Sequence, residues 1–380
     1  MTGESRVRVF PGVGLLLMAV SLAAHSASGS RYDVNSDRPG HQPEKYYWRP
    51  GPPIKNNDGT WTFQPRTSIG EPMPDMPTRM ERMIRKVQFR LVKALEAQET
   101  GGKKFQLHRT NRTKGSGESV MYVLQSGDVF EKAGVGVSVA RHTLPPKIAQ
   151  QMRARGKDVD EGSPFISVGI SCIIHPRNPM VPAIHFNYRY FEVKGRNGST
   201  QWWFGGGTDL TPYYLDEGDA LAFHSTLKKI CDKYEKGSYE KFKRNCDSYF
   251  TIAHRNETRG IGGIFFDDLT TPDQKLAFAF VKSCAKAVVP LYLPLVRKHK
   301  YYKWNSTERK WQLIRRGRYI EFNLIYDRGT KYGLQSTVTI IENVFMAAPP
   351  KAIWEYKYEP QAGSREADLM EVLRHPRDWA

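Results

Sequence analysis

The 380-residue chain predicts an α+β fold built on a mostly antiparallel sheet. Three observations lead there. Strand-length runs cluster between residues 119 and 204, helical runs follow to about Lys298, and strand-like runs return after Tyr319. Strands and helices do not alternate as a parallel sheet would require. A Gly195–Thr200 turn joins two of the runs as a hairpin.

Element by element, the first thirty residues stand apart. Arg6 and Arg8 precede an apolar stretch over 12–24, then Ser/Ala-rich sequence to Ser30. The stretch is short for a bilayer span and reads as a targeting segment over 1–30, a signal peptide or part of a mitochondrial presequence. Residues 31–75 are polar and rich in Pro, Gly and Asn, a linker or extended arm. One catalytic domain is expected over 76–380.

Within that domain, Thr78 is placed to cap a helix. Met80, Met83, Ile84, Val87, Leu91, Ala94 and Leu95 follow at three- and four-residue steps. Strands are expected at 119–124, 134–140, 165–175, 184–194 and 201–204, and a short one at 263–266. Helices are expected at 219–234, 239–249 and 272–298, the last liable to break at Pro290 and Pro294. Further strands are expected at 319–326 and 337–345, and a C-terminal helix at 366–373. No other segment reads as transmembrane.

Composition narrows the partners. Lys and Arg number 57 against 39 Asp and Glu, a net +18, which favours an anionic partner. The charge is spread rather than blocked, and no zinc-finger or RNP-type pattern occurs, so no nucleic acid is expected. Cys172, Cys231, Cys246 and Cys284 form no CxxC pair, which argues against a zinc or redox motif. Aromatics reach 12%, which suits a flat apolar ligand as well as a sheet core.

Three stretches carry chemistry. In a strand over 184–190, alternation puts His185, Asn187 and Arg189 on one face and Ile184, Phe186, Tyr188 and Tyr190 on the other. A lone histidine there is ordinarily solvated, but more polar groups converge. Gly205-Gly206-Gly207-Thr208-Asp209 follows the returning strand. The glycines permit a tight turn or close ligand approach, and Asp209 at the strand end can accept N–H groups. His254-Arg255-Asn256-Glu257-Thr258-Arg259-Gly260 runs into a second glycine-rich turn, and its arginines suit bidentate carboxylate binding. Asp267 and Asp268 read as a cap for the helix that follows, or as a metal or acid/base pair. His175, His224 and His254 lack local metal spacing.

Together these stretches resemble the oxygen-dependent coproporphyrinogen III oxidase family. The matching motifs are SVGISCIIHPRNP, IHFNYRYFEV, QWWFGGGTDLTPYYL, HRNETRGIGGIFFDDL, RRGRYIEFNLIYDRGTKYGLQS and RHPRDW, in family order over about residues 76–380. The resemblance implies a large flat antiparallel sheet flanked by helices, a deep cleft and a homodimer. It implies oxidative decarboxylation of two propionates of coproporphyrinogen III to vinyls, giving protoporphyrinogen IX in haem biosynthesis. Oxygen is the co-substrate, with no organic cofactor. His185 matches the family's proton donor and Ser171 a substrate contact. Asn187, Tyr188 and Arg189 match a substrate-binding triplet, Asp209 the aspartate that holds pyrrole N–H groups, and Arg259 a cleft arginine. His175, His224 and His254 match histidines assigned to metal in bacterial members. The stretch 319–355 matches one linked to dimer contact.

The chain also departs from the family. Val338, Thr339 and Ile340 stand where members carry a substrate-binding Gly-Gly-Arg or Gly-Ser-Arg, Ile353 replaces an arginine before Trp354, and Met180 replaces a His or Tyr. Losing one charge-assisted carboxylate contact weakens binding by about 1.5–3 kcal/mol. A porphyrin(ogen)-binding homologue with reduced or no turnover is therefore the second reading, and a basic nucleic-acid binder the third. The resemblance implies the mitochondrial intermembrane space with at most loose membrane association, against secretion. The Asn256 sequon falls inside a site motif, which weighs against the secretory route.

Overall fold

The computed structural model describes residues 54–55, 61–62, 74–111, 117–335 and 341–380. Val338, Thr339 and Ile340 lie outside the described residues. The chain divides into two units. One spans Ser26–Met76 and contains a two-stranded antiparallel pair, β1 (Ile54–Lys55) and β2 (Trp61–Thr62). The described residues from Pro77 onward belong to the other.

Helix α1 (Met76–Glu96) opens the larger unit, and Met80, Met83, Ile84, Val87, Leu91 and Leu95 form its buried stripe. A seven-stranded sheet follows: β3 (Gln106–Asn111), β4 (Gly117–Gln125), β5 (Phe130–Thr143), β6 (Pro164–Pro176), β7 (Ala183–Lys194), β8 (Thr200–Thr211) and β11 (Gly262–Leu269). Its order is β11-β8-β7-β6-β5-β4-β3, and every neighbouring pair is antiparallel. Helix α2 (Pro146–Arg153) bridges β5 and β6. Between β8 and β11 come α3 (Glu217–Tyr234), α4 (Ser238–Tyr249) and the short antiparallel pair β9 (Thr251–Ile252) and β10 (Glu257–Thr258). The chain ends with α5 (Gln274–His299), α6 (Ser306–Ile325), α7 (Arg328–Gln335), α8 (Ile341–Val344) and α9 (Arg365–Arg374).

Alternation divides the sheet into two unlike faces. One carries Val120, Val135, Ile170, Cys172, Ile184, Phe186 and Tyr188, all buried. Here Gln88 of α1 donates to the carbonyls of Val120 and Val135, both at 2.9 Å, and α5 packs on β7 and β8. The opposite face is paved with small residues. Cross-strand rows run Met121–Gly136–Ser171–Asn187–Gly207 and Ser119–Ser138–Gly169–Arg189–Gly205. With few bulky side chains, this face leaves room above the sheet, and α6 to α8 enclose that room.

Several expectations change. The segment 319–326 is helical rather than a strand, lying within α6. Asn305 and Glu308 form a reciprocal capping box at its start, and Trp311, Ile314, Arg315, Arg318, Tyr319 and Phe322 are buried at helical spacing. Of the expected strand 337–345, residues 341–344 are helical and 345–347 form a 3-10 turn. The glycines 205–207 make no turn. They lie inside β8, which continues through Asp209 to Thr211. Helix α5 runs unbroken through Pro290 and Pro294. By length and composition, α5 is also apolar enough to cross a membrane, a test that the buried core helix of a globular fold passes as well, and more than half of its apolar stretch is buried here. In this fold it packs on α3, β7 and β8.

Candidate active site

A cavity of about 1000 Å³, counting its open mouth, lies over the small-residue face. Ser119, Gly134, Gly136, Ser138, Ser171 and His185 belong to its sheet floor, and Phe250, Arg259, Tyr319, Asn323, Asp327 and Met346 line it from outside the sheet. Glycine shapes the floor: a Cβ on Gly136 would come within 2.6 Å of the Met121 methyl.

At one end the register sets His185 opposite Asp209 on β8, with Asp209 opposite Gly263 on β11. His185 Nδ1 and Asp209 Oδ1 are 2.7 Å apart, and Arg259 Nη2 donates to Asp209 Oδ2 at 2.8 Å. Asp209 is 3% exposed and Arg259 4%. Burial alone would raise the Asp209 carboxyl, but Arg259 and His185 outweigh it and hold it below the ordinary carboxylate range. An ionised carboxylate only accepts, so the short contact requires the hydrogen on His185 Nδ1. That leaves Nε2 as the ring nitrogen not engaged by Asp209.

Arg259 is itself built in. Its guanidinium stands over the rings of Phe250, Tyr319 and Phe322 at 4.0, 4.7 and 4.9 Å, and Nη1 donates to Asn323 Oδ1 at 3.3 Å. This aromatic surround suits a cation and fixes the side toward Asp209.

Ser171, His185 and Arg259 line the cavity, Asp209 sits behind them in contact with His185 and Arg259 without lining it, and the other expected residues are set apart. Asn187 and Arg189 share the face of His185 but do not line the cavity. Arg189 Nη1 donates to Asn187 Oδ1 at 2.7 Å, and Nη2 to Asp267 Oδ1 at 3.2 Å. Tyr188 faces the opposite side, where its hydroxyl shares a 2.5 Å hydrogen bond with Thr208 Oγ1, so its side chain does not reach the cavity.

The three histidines considered for metal do not converge. His175 Nε2 donates to the Ala347 carbonyl at 2.9 Å, and burial, reinforced by Arg316, holds its pKa well below the ordinary value. His224 is bonded to the Tyr239 hydroxyl and the Ile261 carbonyl, and burial with nearby Lys243 lowers it to about 3. His254 bridges Tyr326 and Glu321. Among the described residues, the one metal-compatible group is Asp216, Asp219 and His299. There the Lys298 ammonium bonds both carboxylates at 2.6 and 2.7 Å and supplies the positive charge.

Sequence reasoning missed Phe250, Tyr319, Asn323 and Asp327 as lining residues. The last three, 319, 323 and 327, recur at four-residue steps, which share a face in a helix and in a strand alike, so their spacing does not distinguish the two.

Comparisons with known proteins follow this geometry. A family model described as coproporphyrinogen III oxidase matches residues 79–379. An oxygen-dependent coproporphyrinogen-III oxidase of Drosophila melanogaster is 51% identical over 373 residues, covering 97% of this chain and 91% of that protein. A mitochondrial one of Homo sapiens is 53% identical over 321 residues, covering 83% and 70%. A chloroplastic one of Glycine max is 47% identical over 306 residues, covering 79% of each.

Proposed function

The chain belongs to the coproporphyrinogen III oxidase family, and from that premise we propose that it oxidatively decarboxylates two propionates of coproporphyrinogen III with oxygen, giving protoporphyrinogen IX. It is an oxidoreductase of haem biosynthesis. The observation that carries the site assignment is the cavity-lining His185 held through Nδ1 by buried, ionised Asp209, itself paired with Arg259.

The substrate's chemistry suits these groups. The carboxylate of each propionate leaves as carbon dioxide while the ring-attached carbon loses a hydrogen, the two remaining carbons become the vinyl group, and one electron pair per propionate passes to oxygen. His185 Nε2 is free to take a proton from the activated pyrrole system. Asp209 fixes the tautomer and stabilises the imidazolium that results. Its carboxylate has further lone pairs for pyrrole N–H groups. Ser171 offers a hydroxyl from the floor to a propionate. The reaction is assigned oxygen as co-substrate and no organic cofactor.

The remaining assignments are these. The chain acts as a homodimer, supported by exposed Leu324, Ile325, Leu334, Ile341 and Phe345 within the stretch matched to dimer contact. It resides in the mitochondrial intermembrane space, supported by the mitochondrial names of the human, mouse and rat relatives. Residues 1–30 serve as its targeting segment and 76–380 as its catalytic domain.

The test is anaerobically prepared coproporphyrinogen III mixed with the full chain and oxygen, read by product fluorescence and carbon dioxide. Turnover is expected. Tight binding without carbon dioxide would select the non-catalytic reading that the replaced triplet at 338–340 keeps open.

A further inference from the structure

We infer that Tyr319 is a further substrate contact: its hydroxyl donates to a propionate carboxylate at the His185 end of the cavity, and Asn323 is the positioning residue that turns it there. The inference rests on the reading of this cleft as a coproporphyrinogen site.

Tyr319 and Asn323 sit one helical turn apart on α6, and both line the cavity. The phenol ring is held from several sides. The Arg259 guanidinium stands 4.7 Å from its centroid, and the His175 ring meets it at a right angle, 5.2 Å between centroids. Ile173 and Met346, which also line the cavity, pack against it. The same guanidinium donates to Asp209 at 2.8 Å, so the tyrosine belongs to the end of the cavity where His185 stands.

The neighbours fix which way the hydroxyl hydrogen can go. Arg259 has only donors, so the end of Asn323 that lies 3.3 Å from Nη1 is Oδ1. The amide nitrogen is then the end within hydrogen-bonding reach of the Tyr319 hydroxyl, and it can only donate. The phenol oxygen accepts, and its own hydrogen is left to give. Asp209 and Asp327 act on this hydroxyl through their charge, but among the described residues neither is hydrogen-bonded to it. Burial, against the opposing charge of Arg259, pushes its pKa well above the ordinary value, so the hydrogen stays in place at neutral pH.

The acceptors a porphyrinogen offers are its propionate carboxylates, since its pyrrole nitrogens carry hydrogen. Arg259 directs Nη2 to Asp209 and Nη1 to Asn323, which leaves the phenol as the donor that meets an incoming carboxylate. A neutral donor holds that anion without setting a second buried positive charge beside Arg259.

The test is Tyr319→Phe, which removes one oxygen and keeps the ring under Arg259, with thermal unfolding measured in parallel. KM should rise about tenfold, as expected for one hydrogen bond to a charged group, with kcat within about threefold. Binding of oxidised coproporphyrin III should weaken alike. Etioporphyrin III, which carries ethyl groups in place of the propionates, should bind the variant and the wild type equally in dilute detergent. In an Asn323→Leu background, where the hydroxyl has lost its guide, Tyr319→Phe should change KM by less than about twofold. Wild-type KM in Tyr319→Phe, or an equal loss for both porphyrins, would overturn the contact. A full tenfold effect in the Asn323→Leu background would overturn the role of Asn323. A wild-type chain that fails to turn over would sink the reading of the cleft, while the comparison of the two porphyrins would still decide on Tyr319.

Discussion

Buried charge and buried neutrality are divided between different residues in this molecule. Asp209 and Arg259 are enclosed and remain charged because each compensates the other, and removing one partner from such a pair costs about 3–5 kcal/mol. His224 is equally enclosed but has a lysine rather than a carboxylate nearby, so it stays neutral, with its pKa lowered to about 3. The consequence for stability has a definite sign. An unfolded histidine takes up its proton near pH 6.5. Between about 6.5 and about 3 the unfolded chain therefore binds a proton that the folded chain refuses. Stability falls with pH by about 1.4 kcal/mol per unit from this one group, and His175 adds in the same direction. Chemical denaturation from pH 7 to pH 5 should show this decline, and His224→Gln should flatten it. An unchanged slope in that variant would mean His224 is protonated in the fold.

At the scale of elements, the sheet is legible because period-two alternation leaves a clear signature. The expected strands at 119–124, 134–140, 165–175 and 184–194 all fall inside observed ones, and so does the shared face of His185, Asn187 and Arg189. Helix α6 is not legible in the same way. The run Ile320-Glu321-Phe322-Asn323-Leu324 mimics strand alternation, and Arg315 and Arg318 are buried charges that disguise the apolar stripe. The better signal lies upstream, where Asn305 and Glu308 satisfy each other's backbone N–H groups at the helix start. Asn305→Ala should accordingly cost about 1 kcal/mol, seen as a lower unfolding midpoint. The glycines of β8 stand out in the sequence for the wrong reason. Local sequence leaves them open between a tight turn and close ligand approach, and only the neighbouring strands reveal that close packing within the sheet requires them. The ionic partners of Asp209 are half legible: Arg259 reads as a cleft arginine, but its pairing with Asp209 depends on contacts 50 residues apart.

For the whole molecule, a small-residue sheet face roofed by helices α6 to α8 gives the cleft, and Leu324 and Leu334 of these helices and Phe345 just after α8 are exposed. Active site and association surface would then share one structural layer. The combined change Leu334→Glu and Phe345→Glu should shift the protein from dimer to monomer in sedimentation and lower turnover with it. A variant still dimeric would place the subunit contact elsewhere. The central claim concerns the ionised carboxylate behind His185. Asp209→Asn removes its charge at nearly constant shape, so the most direct measurement compares carbon dioxide release by that variant and the wild type, alongside binding of oxidised coproporphyrin to each. The account predicts a rate lower by at least about 100-fold with binding within about tenfold. Carbon dioxide release at the wild-type rate from the Asp209→Asn variant would contradict it.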